Sequence, residues 1–282
     1  MGVLTPQANT TVEPEFSLLM PPGMASLTAR LTSDSPSLHQ RLRDYFERLD
    51  GFIDSFAGAP VGVVAVAVTG ASYLIGPQAE DALFDAASAR RGVPVTGAAL
   101  AIGAALRALG ARRIALVSPY DAGLTEAAVA YWRSRGFEVG SVWRLGEASG
   151  GHHPIYALRG DAATDGLARV LAMAKAPASG DRLDGADDGD GGKNPPDAVL
   201  MLGTGMPTLP ALAAIDPAAI KVPVLSSNVA LVWQALEALQ GRWQAPSAAT
   251  LVALLGDVGW RARLRSWMAS GGEDEGQSER SD

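Results

Sequence analysis

What most limits the folds open to this 282-residue chain is that it repeats itself. Four apolar runs in the first half return in the same order in the second, each ending in a similar junction. Leu4-Thr5-Pro6-Gln7-Ala8-Asn9 is matched by Val117-Ser118-Pro119-Tyr120-Asp121-Ala122: an apolar strand, a hydroxyl residue, a proline, a short polar loop. The run around residues 27–31 is matched by 137–143. The run ending in Thr69-Gly70 is matched by the one ending in Thr204-Gly205, and Val93-Pro94-Val95 by Val222-Pro223-Val224. Four matched junctions in one order point to two similar halves. The spacing widens once, and residues 177–196, rich in Gly, Asp, Ala and Pro, account for it. Such a segment cannot bury a core face and is expected to be a disordered insertion. A disordered tail is expected over 271–282.

Between the apolar runs the periodicity is helical. Leu42, Tyr45, Phe46, Leu49, Phe52, Ile53 and Phe56 recur at spacings of three and four, and residues 124–135 and 230–239 behave alike. Strands alternating with helices of this length imply right-handed crossovers and parallel sheets, hence an α/β fold. Ligands of such sheets sit beyond the carboxyl ends of strands, where all four repeated junctions fall. Residues 1–105 with 222–270 are expected to form one lobe and 106–221 the other.

Composition narrows the chemistry. The chain has no cysteine, so disulfides, thiolate metal sites and thiol nucleophiles are excluded. Its net charge of −7 is spread without a basic block, so neither nucleic acid nor an anionic membrane is an expected partner. No basic segment followed by an apolar run opens the sequence, and no run is long enough to span a bilayer, so the cytoplasm is expected. Walker, dinucleotide-binding, nucleophile-elbow and His-Glu-x-x-His motifs are missing.

The junction residues suit a carboxylate. Thr69-Gly70 and Thr204-Gly205 offer hydroxyls and backbone N–H groups beside helix starts, or else simply make tight turns. Asn9 could donate an amide to a carboxylate; with Thr10, Thr11 and Glu13 it also fits helix capping. Tyr120 could donate to an oxyanion or pack its ring, and Ser227 and Asn228 reach the same region with capping as the competing role. Of three histidines, His39 reads as a surface residue. His152 and His153 lack the carboxylate spacing of a metal site, but His153 could move a proton near neutrality.

Residues 5–13 resemble the first loop of maleate cis–trans isomerases. The likeness continues in residues 109–120, in Met206-Pro207-Thr208-Leu209 and in residues 222–228. Together these resemble the aspartate/glutamate racemase superfamily, on the branch of maleate isomerase and arylmalonate decarboxylase. The resemblance implies two pseudo-symmetric Rossmann-like lobes with the site in the cleft between them and no cofactor. It also implies a catalytic cysteine ending the third strand of each lobe, and those positions here are Val68 and Gly203. The expectation is therefore a cofactor-independent isomerase or lyase acting on a small mono- or dicarboxylate without a cysteine. Tyr120, His153 and Thr69 would be catalytic, and Asn9, Gly70, Thr204, Gly205, Ser227 and Asn228 would bind substrate. The alternative is a catalytically inactive carboxylate binder or sensor of the same fold. A homo-oligomer is left open.

Overall fold

The computed structural model describes residues 1–145, 155, 158–175, 195–215 and 222–274. Its first half runs β1 (Gly2–Pro6), α1 (Val12–Leu19), β2 (Leu27–Leu31), α2 (Leu38–Glu47), α3 (Leu49–Asp54), β3 (Val64–Val66), α4 (Gly70–Ile75), α5 (Pro77–Arg91), β4 (Val95–Gly97) and α6 (Ala98–Ala108). The second runs β5 (Arg113–Ser118), α7 (Ala122–Ser134), β6 (Glu138–Arg144), α8 (Gly160–Lys175), β7 (Ala198–Met201), α9 (Leu209–Ala214), β8 (Val224–Ser226) and α10 (Ser227–Leu239). Helices α11 (Ala248–Gly256) and α12 (Val258–Asp274) complete the chain.

Each half holds a four-stranded parallel sheet, ordered β2-β1-β3-β4 in one and β6-β5-β7-β8 in the other. The repeat read from the sequence is thus a repeat of topology, strand for strand. The central strands β1, β3, β5 and β7 are apolar and almost wholly buried, as parallel strands covered on both faces must be. The helical stripe expected over residues 39–56 comes from two helices broken at Arg48. It buries Leu42, Tyr45, Phe46, Leu49, Ile53 and Phe56 but leaves Phe52 partly exposed beneath the Arg48 guanidinium.

The lobes exchange elements at their boundary. Helix α6 carries the first lobe to Ala108. The second sheet runs beyond residue 222, because β8 pairs with β7; the chain crosses back only at α10, which packs on α6 and α1. Thr96 Oγ1 donates to Gln234 Oε1 at 2.8 Å within that crossover. Helix α12 buries Trp260 and Leu264 and continues to Asp274, so residues 271–274, expected in the polar tail, are helical. Residues 195 and 196 of the expected insertion lead into β7, and 177–194 and 275–282 lie outside the described residues. Among the described residues no helix is long and apolar enough to cross a membrane.

A second link joins α5 to α7. Glu80, fully buried, accepts from the Tyr131 hydroxyl and from Arg135 Nη2 at 2.8 Å, while Arg135 also grips both oxygens of Asp81 at 2.8 Å. Burial pushes the Glu80 carboxyl above its ordinary range, against the pull of its hydrogen-bond partners and the Arg135 charge.

Candidate active site

In a sheet ordered 2-1-3-4 the chain reverses direction between β1 and β3, so a crevice opens beyond their carboxyl ends. Residues 7–11 and 67–69 border it in the first lobe, and residues 119–121 and 202–208 border its twin. The two crevices meet. Thr204 Oγ1 donates to the Ala67 carbonyl at 2.7 Å, and Thr11 Oγ1 donates to the Gly205 carbonyl at 2.9 Å. The Thr69 and Tyr120 hydroxyls lie 2.6 Å apart. Residues flanking Val68 are therefore bonded to residues flanking Gly203, and the two thiol-equivalent positions border one shared cleft.

Neither position could act as a thiol does. Val68 is buried with the core. Gly203 has φ +85, a conformation that penalises any side chain, and a Cβ there would lie 2.8 Å from Ile155 Cδ1 and Pro119 Cγ, and 3.3 Å from the Tyr120 hydroxyl. The space beside Gly203 is thus filled by neighbouring apolar groups and the phenol.

The Thr69 and Tyr120 hydroxyls form a hydrogen-bonded pair. Two hydroxyls in mutual contact use one proton between them and keep the other for a third oxygen. Burial pushes the Tyr120 phenol well above its ordinary pKa, so it remains a donor at neutral pH. Tyr73 stacks edge-on against the Tyr120 ring at 6.2 Å and holds it in place. Gly70 is needed for packing, since a Cβ there would come within 2.9 Å of Leu42 Cδ1 and 3.3 Å of Leu124 Cδ2. That close approach lets α4 begin directly at the cleft.

Most of the other expected residues spend their side-chain bonds within the protein. Asn9 does cap α1: its Oδ1 accepts from Thr11 N at 2.9 Å and Val12 N at 3.2 Å, while its Nδ2 reaches Thr204 Oγ1 at 3.3 Å. Glu13, which could have closed a capping box, instead pairs with Arg30. The Thr204 hydroxyl is spent between the lobes, on the Ala67 carbonyl and the Asn9 amide. Ser227 is fully buried with only a long contact to Met201 O at 3.4 Å, and the cap of α10 falls to Ser226. Asn228 is no cap; its Nδ2 donates to Glu15 at 2.7 Å and to Thr204 O at 3.1 Å. His39, 3.8 Å from Asp121, bridges the lobes at a half-exposed position. His152 and His153 lie outside the described residues. No group of three His, Cys, Asp or Glu among the described residues could hold a metal ion.

The sequence reading missed Glu15. This carboxylate sits on the buried stripe of α1 with Val12, Phe16 and Leu19. An acidic residue in an apolar stripe is a legible signal that a partner is waiting, but its identity is not.

A model of the family described as arylmalonate decarboxylase matches residues 1–149, more than half of the chain. The chain belongs to the arylmalonate decarboxylase family. It is accordingly an enzyme of the isomerase and lyase branch of the aspartate/glutamate racemase superfamily. A maleate isomerase of Pseudomonas putida is 29% identical over 263 residues, covering 89% of this chain and 96% of the relative. Among solved structures, the maleate isomerase Iso of Pseudomonas putida S16 is 25% identical with a TM-score of 0.66, covering 85% of this chain and 92% of its own. A maleate cis–trans isomerase mutant of Nocardia farcinica, solved with a covalently bound succinylcysteine intermediate, shares the fold at 24% identity. Its TM-score is 0.68, with 85% of this chain and 91% of that one covered. The positions that the resemblance assigns to a cysteine in each lobe are Val68 and Gly203 here, in a chain with no cysteine.

Proposed function

We propose that this arylmalonate decarboxylase family member is a cofactor-independent lyase that removes one carboxylate from a small malonate-type diacid without a thiol. The observation carrying this reading is the Thr69–Tyr120 donor pair, 2.6 Å apart, in a chain with Val68 and Gly203 where thiols are expected. Isomerisation through a covalent thioether needs a nucleophile that this sequence lacks. Decarboxylation does not. The bond from the α-carbon to one carboxylate breaks, CO2 departs, and the electron pair spreads into the remaining carboxylate as an enediolate. Its two oxygens gather negative charge in the transition state, and preorganised donors stabilise them. Those donors are the Thr69 and Tyr120 hydroxyls and the backbone N–H groups at Gly70, Thr204 and Gly205. The buried side chain of Val68 makes the surroundings apolar, which disfavours charge localised on the departing carboxylate and so favours its release as neutral CO2, while the charge passes to the remaining fragment. A proton from water then reaches the α-carbon, with Tyr120 or His153 as its carrier.

The test is a panel of aryl- and alkylmalonates, maleate and amino-acid racemase substrates, assayed for turnover beside thermal shifts. CO2 release from a malonate, lost in Tyr120→Phe, is the expected result. Conversion of maleate to fumarate with no malonate turnover would overturn the lyase reading. Thermal shifts without any turnover would favour the inactive carboxylate binder instead.

A further inference from the structure

Burying a carboxylate on an apolar helix face requires that protein donors replace its water. Glu15 is 4% exposed and has such donors, all from the second half of the chain. Its Oε1 accepts from Thr208 N at 2.6 Å and Leu209 N at 3.0 Å, and the Thr208 hydroxyl lies 3.2 Å and 3.3 Å from the two oxygens. Its Oε2 accepts from Asn228 Nδ2 at 2.7 Å.

That last bond fixes more than itself. Asn228 Nδ2 also donates to the Thr204 carbonyl at 3.1 Å, while Asn228 Oδ1 is buried with no partner among the described residues. An unsatisfied buried oxygen is costly, but turning the amide over would leave the NH2 group unsatisfied in its place. It would also face Oδ1 toward the Glu15 carboxylate and the Thr204 carbonyl, acceptor against acceptor. Glu15 and the Thr204 carbonyl together fix which way Asn228 points, and Asn228 in turn ties Glu15 to Thr204. Residues 203–208 are clamped at both ends by one carboxylate, at Thr208 directly and at Thr204 through Asn228. Thr11 and Asn9 hold the middle of the segment and the Thr204 hydroxyl. Glu15, Thr11 and Asn9 all reach from α1 and its preceding loop to the segment after β7.

We propose that Glu15 is a positioning residue: from the first lobe it sets the geometry of residues 203–208, whose N–H groups grip the substrate's developing enediolate. The inference rests on the carboxylate-binding role given above to Thr204 and Gly205. Donors displaced by a fraction of an ångström still bind substrate but no longer match the transition state, so the loss falls on kcat.

Glu15→Gln keeps the shape and removes the charge. Its Nε2 must meet either the Thr208 and Leu209 N–H groups or the Asn228 NH2, donor against donor. In the full chain, kcat for CO2 release from phenylmalonate is expected to fall about 10- to 100-fold while KM stays within about threefold. Amide hydrogen exchange across residues 203–209 should accelerate at least about tenfold, with residues 199–201 of β7 unchanged. The double variant Glu15→Gln/Asn228→Asp restores a donor–acceptor pair at position 15 but places an acceptor against the Thr204 carbonyl. It should therefore not recover kcat, because the tie to Thr204 stays broken even where the pair at position 15 is remade. Glu15→Asp keeps the charge but is shorter, and replaces Glu15→Gln if the latter does not fold, with the same expected changes in kcat and exchange. A folded variant with kcat within about twofold of the parent and unchanged exchange at 203–209 overturns the proposal. If the parent chain releases no CO2 from phenylmalonate or any other malonate of the panel, the functional reading has failed; the exchange measurement then decides the role of Glu15 alone.

Discussion

The Thr69 hydroxyl, just beyond β3, and the Tyr120 phenol, just beyond β5, lie 2.6 Å apart across the boundary between the two lobes. Neither lobe can make this pair alone, and the repeat explains why both contribute. Each sheet reverses direction at its own β1–β3 or β5–β7 crevice, and pseudo-symmetry turns those crevices toward each other.

Tyr120→Phe removes one of the two hydroxyls and leaves the ring stack on Tyr73 in place. Turnover of an active malonate is expected to fall about 10²- to 10³-fold, the usual effect of losing one oxyanion donor. Stability should change by about 1 kcal/mol, since Thr69 loses a single neutral hydrogen bond. Parallel steady-state kinetics and thermal unfolding check both numbers. Less than about a twofold loss of turnover would remove Tyr120 from the site.

Val68→Cys and Gly203→Ala should differ sharply in cost. Valine to cysteine keeps nearly the same volume, so a change below about 1.5 kcal/mol is expected. Gly203→Ala forces a side chain at φ +85 against Ile155 and Pro119. Backbone strain and overpacking together should cost about 2–4 kcal/mol. Denaturant melts of the two single variants compare them directly, and equal midpoints would mean that the tight space beside Gly203 is not as described.

Arg135→Met tests the link between α5 and α7. It leaves the Glu80 carboxylate buried without its cation, an uncompensated charge worth about 3–5 kcal/mol. Folding raises the Glu80 pKa, so its contribution is fully present while the carboxyl is protonated and is lost as pH rises through the raised value. The advantage of the parent over Glu80→Gln should therefore shrink as pH rises from the ordinary glutamate value of about 4.3. Melts of both proteins across that range would show the trend, and a growing advantage would contradict it.

Glu237 behaves in the opposite sense. Buried on α10, it accepts from Arg242 Nε at 2.9 Å and Ser247 N at 2.8 Å, and the Arg242 bond above all holds its carboxyl below the ordinary range. A lowered pKa gives stability that is present above the unfolded value and lost as pH falls through the folded one. Glu237→Gln should cost about 1.5–3 kcal/mol at neutral pH. The parent should then lose more stability than the variant between about pH 5 and about pH 3. Parallel pH losses in the two proteins would rule out this assignment.

Local elements and their repetition were legible in the sequence alone. Apolar runs of strand length, helical stripes such as Leu42-Tyr45-Phe46-Leu49, and paired junctions at Pro6 and Pro119 or Thr69 and Thr204 are local patterns set by periodicity and turn chemistry. They were enough for two parallel sheets, the crevices at their strand ends and the absence of a thiol from both. What they could not determine is which side chain spends its hydrogen bonds on substrate and which on the other lobe. Asn9, Thr204 and Asn228 are all plausible carboxylate donors from composition alone. The tertiary structure commits Asn9 to capping α1, the Thr204 hydroxyl to the Ala67 carbonyl, and Asn228 to Glu15. Each of the last two bonds joins residues far apart in the chain, and a buried donor takes whichever acceptor the fold brings within about 3 Å. That choice is made by how two lobes meet, and no periodicity in either lobe records it.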